Sequence, residues 1–166
     1  MLRSIAEFAD YFAGIRRRTL NYLRVIPPEK LDWSPDAGEY TCRDIVRHIM
    51  AAEQMYLTLL QTGEWRYPGH AGAEGATRDA LLAEMEAYHA ATLAALRAMP
   101  DALLQETRPS FVPDGPPIKV WRWLMAMVEH EVHHRSQLAS YLHLLGAQPP
   151  QIYGITVEEL IARATG

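Results

Sequence analysis

The longest apolar-periodic stretch of the chain starts near Pro117 or Ile118 and runs to about Leu145, where Gly146 supplies a helix stop. Leu124, Met127 or Val128, Leu138, Tyr141 and Leu145 recur at the three-and-four spacing of one helix face, and the stretch is too long for a strand. Two polar residues, Glu131 and His134, interrupt that inward track. Around them the sequence reads Glu129-His130-Glu131-Val132-His133-His134-Arg135, with three histidines within five residues. His130 and His134 are four apart, so on a helix their Cβ atoms lie roughly 5–6 Å apart on one face. Two neutral imidazoles so placed can share one metal ion.

Three further segments carry helical periodicity. Ser4 can cap the first, with Glu7 three residues on. Ile5, Phe8, Phe12, Ile15, Leu20 and Leu23 follow, and Pro27-Pro28 ends it. Thr41 with Asp44 opens the second, whose stripe is Ile45, Ile49, Ala52, Tyr56 and Leu59. Thr77 opens the third, which runs through Leu81, Met85 and Leu96 to Met99 before Pro100. Thr156 with Glu159 caps a short last helix ending near Ala164. No strand pattern competes. The expected fold is all-α, a four-helix bundle with a short additional C-terminal helix, in a single domain over residues 1–166. The long connections after the second and third helices leave its topology open between up-down and crossover forms.

With 166 residues, 49% of them hydrophobic, such a domain can bury about 70% of its unfolded surface. Cys42 is the only cysteine, which excludes an intrachain disulfide and suits a reducing cytoplasm. The net charge is −4, and Arg16-Arg17-Arg18 is the only basic tract, read as a solvated helix face; nothing here calls for nucleic acid. No apolar run approaches the ~20 residues of a membrane span, and Met1-Leu2-Arg3-Ser4 lacks the apolar core of a signal peptide.

A catalytic zinc-type site needs a third protein ligand. His48 is the best choice, since it falls in the apolar stripe of another helix, and bundle metal sites are built from facing helices. The competing structural reading pairs these histidines with Glu53, Glu129 or Gln137. His133 faces away from His48 if His134 faces it. His89 borders an apolar face alone and reads as structural, and His70 lies in the 63–76 loop without a partner at ligand spacing. His130-Glu131-Val132-His133-His134 also fits the H-E-x-x-H protease pattern, with Glu131 as general base. Ser140 stands where a metzincin would need its third histidine, so a salt bridge from Glu131 to Arg135 is the preferred reading. Trp33, Tyr56, Trp121 and Tyr141 are expected near a pocket at one bundle end, with Trp33 more a plug of the core than a stacking surface.

Asp44-Ile45-Val46-Arg47-His48-Ile49 followed by Glu53, together with His130-Glu131-Val132-His133-His134-Arg135-Ser136-Gln137, resembles the DinB/YfiT-like superfamily. Ile26-Pro27-Pro28-Glu29-Lys30-Leu31-Asp32-Trp33-Ser34-Pro35 is similar to its loop after the first helix. The resemblance spans nearly the whole chain; Ser136 departs from it, where relatives often have Gly. It implies a four-helix bundle, frequent homodimers, and a divalent ion, often nickel or zinc, on His48, His130 and His134. It also implies, for some members, transfer chemistry on a small-molecule substrate with a low-molecular-weight thiol as co-substrate. A metal hydrolase using Glu131, or a non-enzymatic bundle with a structural metal, are the alternatives.

Overall fold

The computed structural model describes residues 2–70 and 75–165. Four long helices form the bundle: α1 (Ile5–Val25), α2 (Cys42–Thr62), α3 (Arg78–Arg97) and α4 (Val120–Leu144), followed by a short α5 (Val157–Thr165). Their starts follow from local chemistry. Ser4, Thr41 and Thr77 each accept a backbone N–H three residues on with the side-chain oxygen. Thr41 and Asp44 close a full reciprocal box, as do Thr156 and Glu159. Gly63 ends α2 in the left-handed region at φ 77°, where a side chain would add strain. One departure from the sequence reading precedes α4. Thr107–Arg108 (β1) and Ile118–Lys119 (β2) pair as a two-residue antiparallel ribbon, so the helix begins at Val120. Such a ribbon is too short to leave a periodic signal.

The core has two apolar clusters stacked along the bundle. One holds Phe8, Phe12, Leu59, Leu60, Leu96, Val120, Trp123 and Leu124. The other holds Leu23, Ile45, Val46, Ile49, Leu81, Met85, Leu138 and Leu142. The first therefore gathers the start of α1, the ends of α2 and α3, and the start of α4. It follows that α1 and α4 run one way and α2 and α3 the other. α1 packs on α3 and α4, and α2 packs on the same two, so α1 and α2 lie across a diagonal. Connections 26–41 and 98–119 stay at one end each. Connection 63–77 joins two helices that run in the same direction, so it must return along the length of the bundle. This is a crossover topology.

Between the clusters lies a polar layer. Arg16, Glu53, His89, Thr92, Glu131, His134 and Arg135 are all buried there. Arg16 is thus no part of a solvated basic face; of the three arginines Arg17 is exposed and Arg16 is enclosed. Trp33 packs against the second cluster and meets Tyr141 edge-on at 5.5 Å, as a plug would.

Candidate metal centre

α2 and α4 pack antiparallel, and at the level of the polar layer they bring His48 against His130 and His134. The periodicities explain this. His48 lies one residue before Ile49 on the inward side of α2, and His130 and His134 flank Glu131 on α4. One nitrogen from each of the three rings falls within 4.8 Å of the others. His130 Nε2 and His48 Nε2 are 3.1 Å apart. Two nitrogens bound at ~2.0–2.1 Å to one tetrahedral ion would lie roughly 3.3 Å apart. Ring centroids are separated by 4.8 Å for His48–His130, 4.5 Å for His48–His134 and 4.4 Å for His130–His134. His134 is buried, and the other two are half-buried.

The outward nitrogens have partners of their own. His134 Nδ1 meets Gln137 Oε1 at 2.6 Å, so Nδ1 is the donor and Nε2 keeps its lone pair. His48 Nδ1 lies 2.7 Å from the Tyr67 hydroxyl. Metal-bound histidines typically carry such outer hydrogen bonds, which fix the tautomer. Burial pushes the His48 ring down to about 4, with the His134 and His70 rings adding to the shift. Burial takes His130 to about 3, helped by His134, His48 and His133. It also lowers His134, against the opposing Gln137 hydrogen bond. All three are therefore neutral near pH 7, the form that donates a lone pair to a cation. The donor set fits a divalent ion with a fourth position left to another ligand.

Other histidines play other parts. His133 is exposed, as the helix geometry requires when His134 faces inward. His89 is buried and bonds Glu53 at 2.9 Å. His70 is not among the three grouped rings, but its Nδ1 lies 2.8 Å from the same Tyr67 hydroxyl, and its ring is 5.7 Å from that of His48. Tyr40 covers both rings, at 5.7 Å from His48 and 4.9 Å from His70. Spacing rules could not find Tyr40, Tyr67 or His70, because they reach the site through loops. Among the described residues, the four aromatics expected around a pocket do not gather at one bundle end. Trp33 and Tyr141 belong to one apolar cluster and Tyr56 and Trp121 to the other, with the histidines between them.

Glu131 also differs from expectation. Its Oε1 and Oε2 accept from Arg16 Nε and Nη2, at 3.0 and 2.8 Å, rather than from Arg135. Arg16 also binds Glu53. Burial alone would lower the Arg16 pKa, but the Glu131 and Glu53 charges raise it above the ordinary value. Arg135 instead reaches the Ile15 carbonyl. The carboxylate proposed as a hydrolytic base is thus committed to a buried ion pair on the α1 side of α4.

A family model described as "DinB family" matches residues 1–164. The chain belongs to the DinB family. Two solved DinB-like proteins share this fold. One, from Bacillus cereus, superposes with a TM-score of 0.74 at 22% identity, covering 91% of this chain and 99% of that one. The other, YjoA from Bacillus subtilis, gives a TM-score of 0.70 at 19% identity over 86% of this chain and 93% of that one. Identities this low establish the DinB-like fold and nothing finer. No curated protein matches the chain. Among the described residues, no helix of this DinB-family chain is long and apolar enough to cross a membrane.

Proposed function

We propose that this DinB-family protein is a metal-dependent enzyme of the thiol S-transferase type, holding one divalent ion on His48, His130 and His134. The observation that carries the metal reading is the convergence of three neutral imidazoles, two of them with their outward nitrogens already engaged. The transferase assignment rests on the family resemblance. A bound divalent ion would lower the pKa of a thiol and hold it as the nucleophile. The chain's own residues do the rest: three imidazoles would fix the ion, Gln137 holds His134 in place, and the Tyr40 ring lies 5.7 Å from that of His48. Zinc and nickel both suit imidazole donors. The cytoplasm, with its reduced low-molecular-weight thiols, is the compartment this chemistry requires. A small-molecule substrate and a homodimer complete the proposal. The exposed Val157, Leu160 and Ile161 of α5 offer apolar surface for pairing.

The hydrolase alternative finds no support at Glu131, whose carboxylate is held by Arg16. Elemental analysis tests the site directly. Tag-free wild type should carry about one divalent ion per chain, as a single three-histidine site allows. His48→Ala, His130→Ala and His134→Ala should each lose it, and His133→Ala should keep it. Equal loss in His133→Ala would overturn the ligand assignment. If the metal is present, a screen of thiols against electrophilic substrates tests the transferase step, and turnover that ignores the thiol would sink it.

A further inference from the structure

The described parts of the 63–77 connection are residues 63–70 and 75–77, and Tyr67 and His70 lie over the histidine cluster. Three contacts tie the connection to the bundle. Trp65 packs at the first apolar cluster, with its Nε1 donating to the Pro109 carbonyl at 3.2 Å. The His70 carbonyl accepts from Arg47 Nε of α2 at 2.9 Å. The Ala76 carbonyl accepts from Arg43, one turn further toward the start of α2. Between the first two anchors the Tyr67 hydroxyl sits between two imidazole nitrogens, 2.7 Å from His48 Nδ1 and 2.8 Å from His70 Nδ1. Tyr67 is otherwise exposed, so burial of its ring does not explain its placement.

A phenol hydroxyl has one proton to give and lone pairs to accept with. Between two imidazole nitrogens it can accept from one and donate to the other, in either direction. The direction matters for His48. If its proton is on Nδ1, Nε2 is bare and can bind a cation; if the proton is on Nε2, the ring is blocked as a ligand. We propose that Tyr67 and His70 are positioning residues for the metal centre, with His48 Nδ1–H donating to Tyr67 Oη and Tyr67 Oη–H donating to His70 Nδ1. His70 then acts as the terminal acceptor that leaves the tyrosine oxygen free to receive the His48 proton. The crossover connection becomes part of the site: it supplies no ligand, but it sets the tautomer and tilt of one.

This rests on the three-histidine metal reading, and the experiment separates the two. Zinc affinity is measured by calorimetry in competition with a chelator for wild type, Tyr67→Phe, His70→Ala and His70→Asn, with apoprotein melting recorded for each. Wild type should bind zinc. Tyr67→Phe and His70→Ala should weaken binding about 10–100-fold, the usual effect of losing an outer hydrogen bond to a metal-bound histidine. His70→Asn, whose side-chain oxygen can stand where Nδ1 stood, should recover most of that loss. Apoprotein melting should be unchanged throughout. Imidazole 15N spectra of the zinc-loaded wild type should place a proton on His48 Nδ1 and a lone pair on His70 Nδ1. Unchanged affinity in Tyr67→Phe, a proton found on His70 Nδ1, or an affinity loss matched by apoprotein destabilisation would overturn the positioning role while leaving the metal site standing. Failure of wild type to bind zinc or nickel would instead remove the metal reading, and the role of Tyr67 with it.

Discussion

The Arg16 guanidinium is fully enclosed, and the two carboxylates that hold it, Glu53 and Glu131, are enclosed as well. Burial raises the Glu53 pKa, but the Arg16 charge, with His89 and Thr92, brings it below the usual range. Removing the cation would take the guanidinium from Glu131 and leave Glu53 with His89 and Thr92 alone in the bundle centre. Arg16→Met should therefore cost about 3–5 kcal/mol in urea unfolding, as breaking a buried ion pair does. A cost near that of an exposed arginine would contradict the buried network. At the histidines the sign of the pH effect is opposite to that of a gained ion pair. His48 is held down to about 4 and His130 to about 3, against about 6.5 in the unfolded chain. Between those values the unfolded chain binds more protons, so stability rises with pH across the window and falls as pH drops from 6.5. Apoprotein melting should decline on acidification, and less steeply in His130→Phe. An equal slope in the variant would refute the assignment. Protons compete with a metal for the same nitrogens. Protonation of His48, held down to about 4, should therefore cut zinc affinity at acid pH, and competition titrations across that range would show the loss.

At the scale of elements, Arg43 is buried apart, at the start of α2 against Asp32, while each of the four long helices contributes buried polar residues to one shared layer. On α1 these are Arg16 and Thr19, on α2 Glu53, on α3 His89 and Thr92, and on α4 Glu131, His134 and Arg135. Arg16 bonds to both Glu53 and Glu131, so it ties α2 to α4 through α1. A one-turn slip, about 5.4 Å along the axis, would bury those charges against apolar side chains. The same register brings His48 level with His130, so the ion network and the histidine cluster are set together. By contrast, α5 has no buried residue. Removing residues 157–166 should change the unfolding free energy by less than about 0.5 kcal/mol, the range of surface changes, when measured at low protein concentration. A larger loss would mean that α5 packs where the structure shows it exposed.

In the whole molecule, parallel α2 and α3 force one connection to span the bundle, and Tyr67 and His70 of that connection lie over the histidines. Much was legible in the sequence. The four helices, the Ser4, Thr41, Thr77 and Thr156 caps, the plug at Trp33 and the inward positions of His48 and His134 follow from i to i+4 chemistry, which the chain states locally. The pairing of His130 with His134 is of the same kind. What lies outside that reach was decided by packing. A helical arginine beside two others looks solvated until carboxylates on two other helices, 37 and 115 residues away, enclose it. Glu131 has Arg135 at the right spacing along α4, yet it bonds Arg16 because α1 lies against that face. Tyr40, Tyr67 and His70 lie in loops without periodicity, so nothing local marks them for the site. Local spacing set which side chains share a helix face. Only the tertiary structure decided which faces meet and which loop crosses them, because those contacts depend on how helices distant in sequence bury their polar groups together.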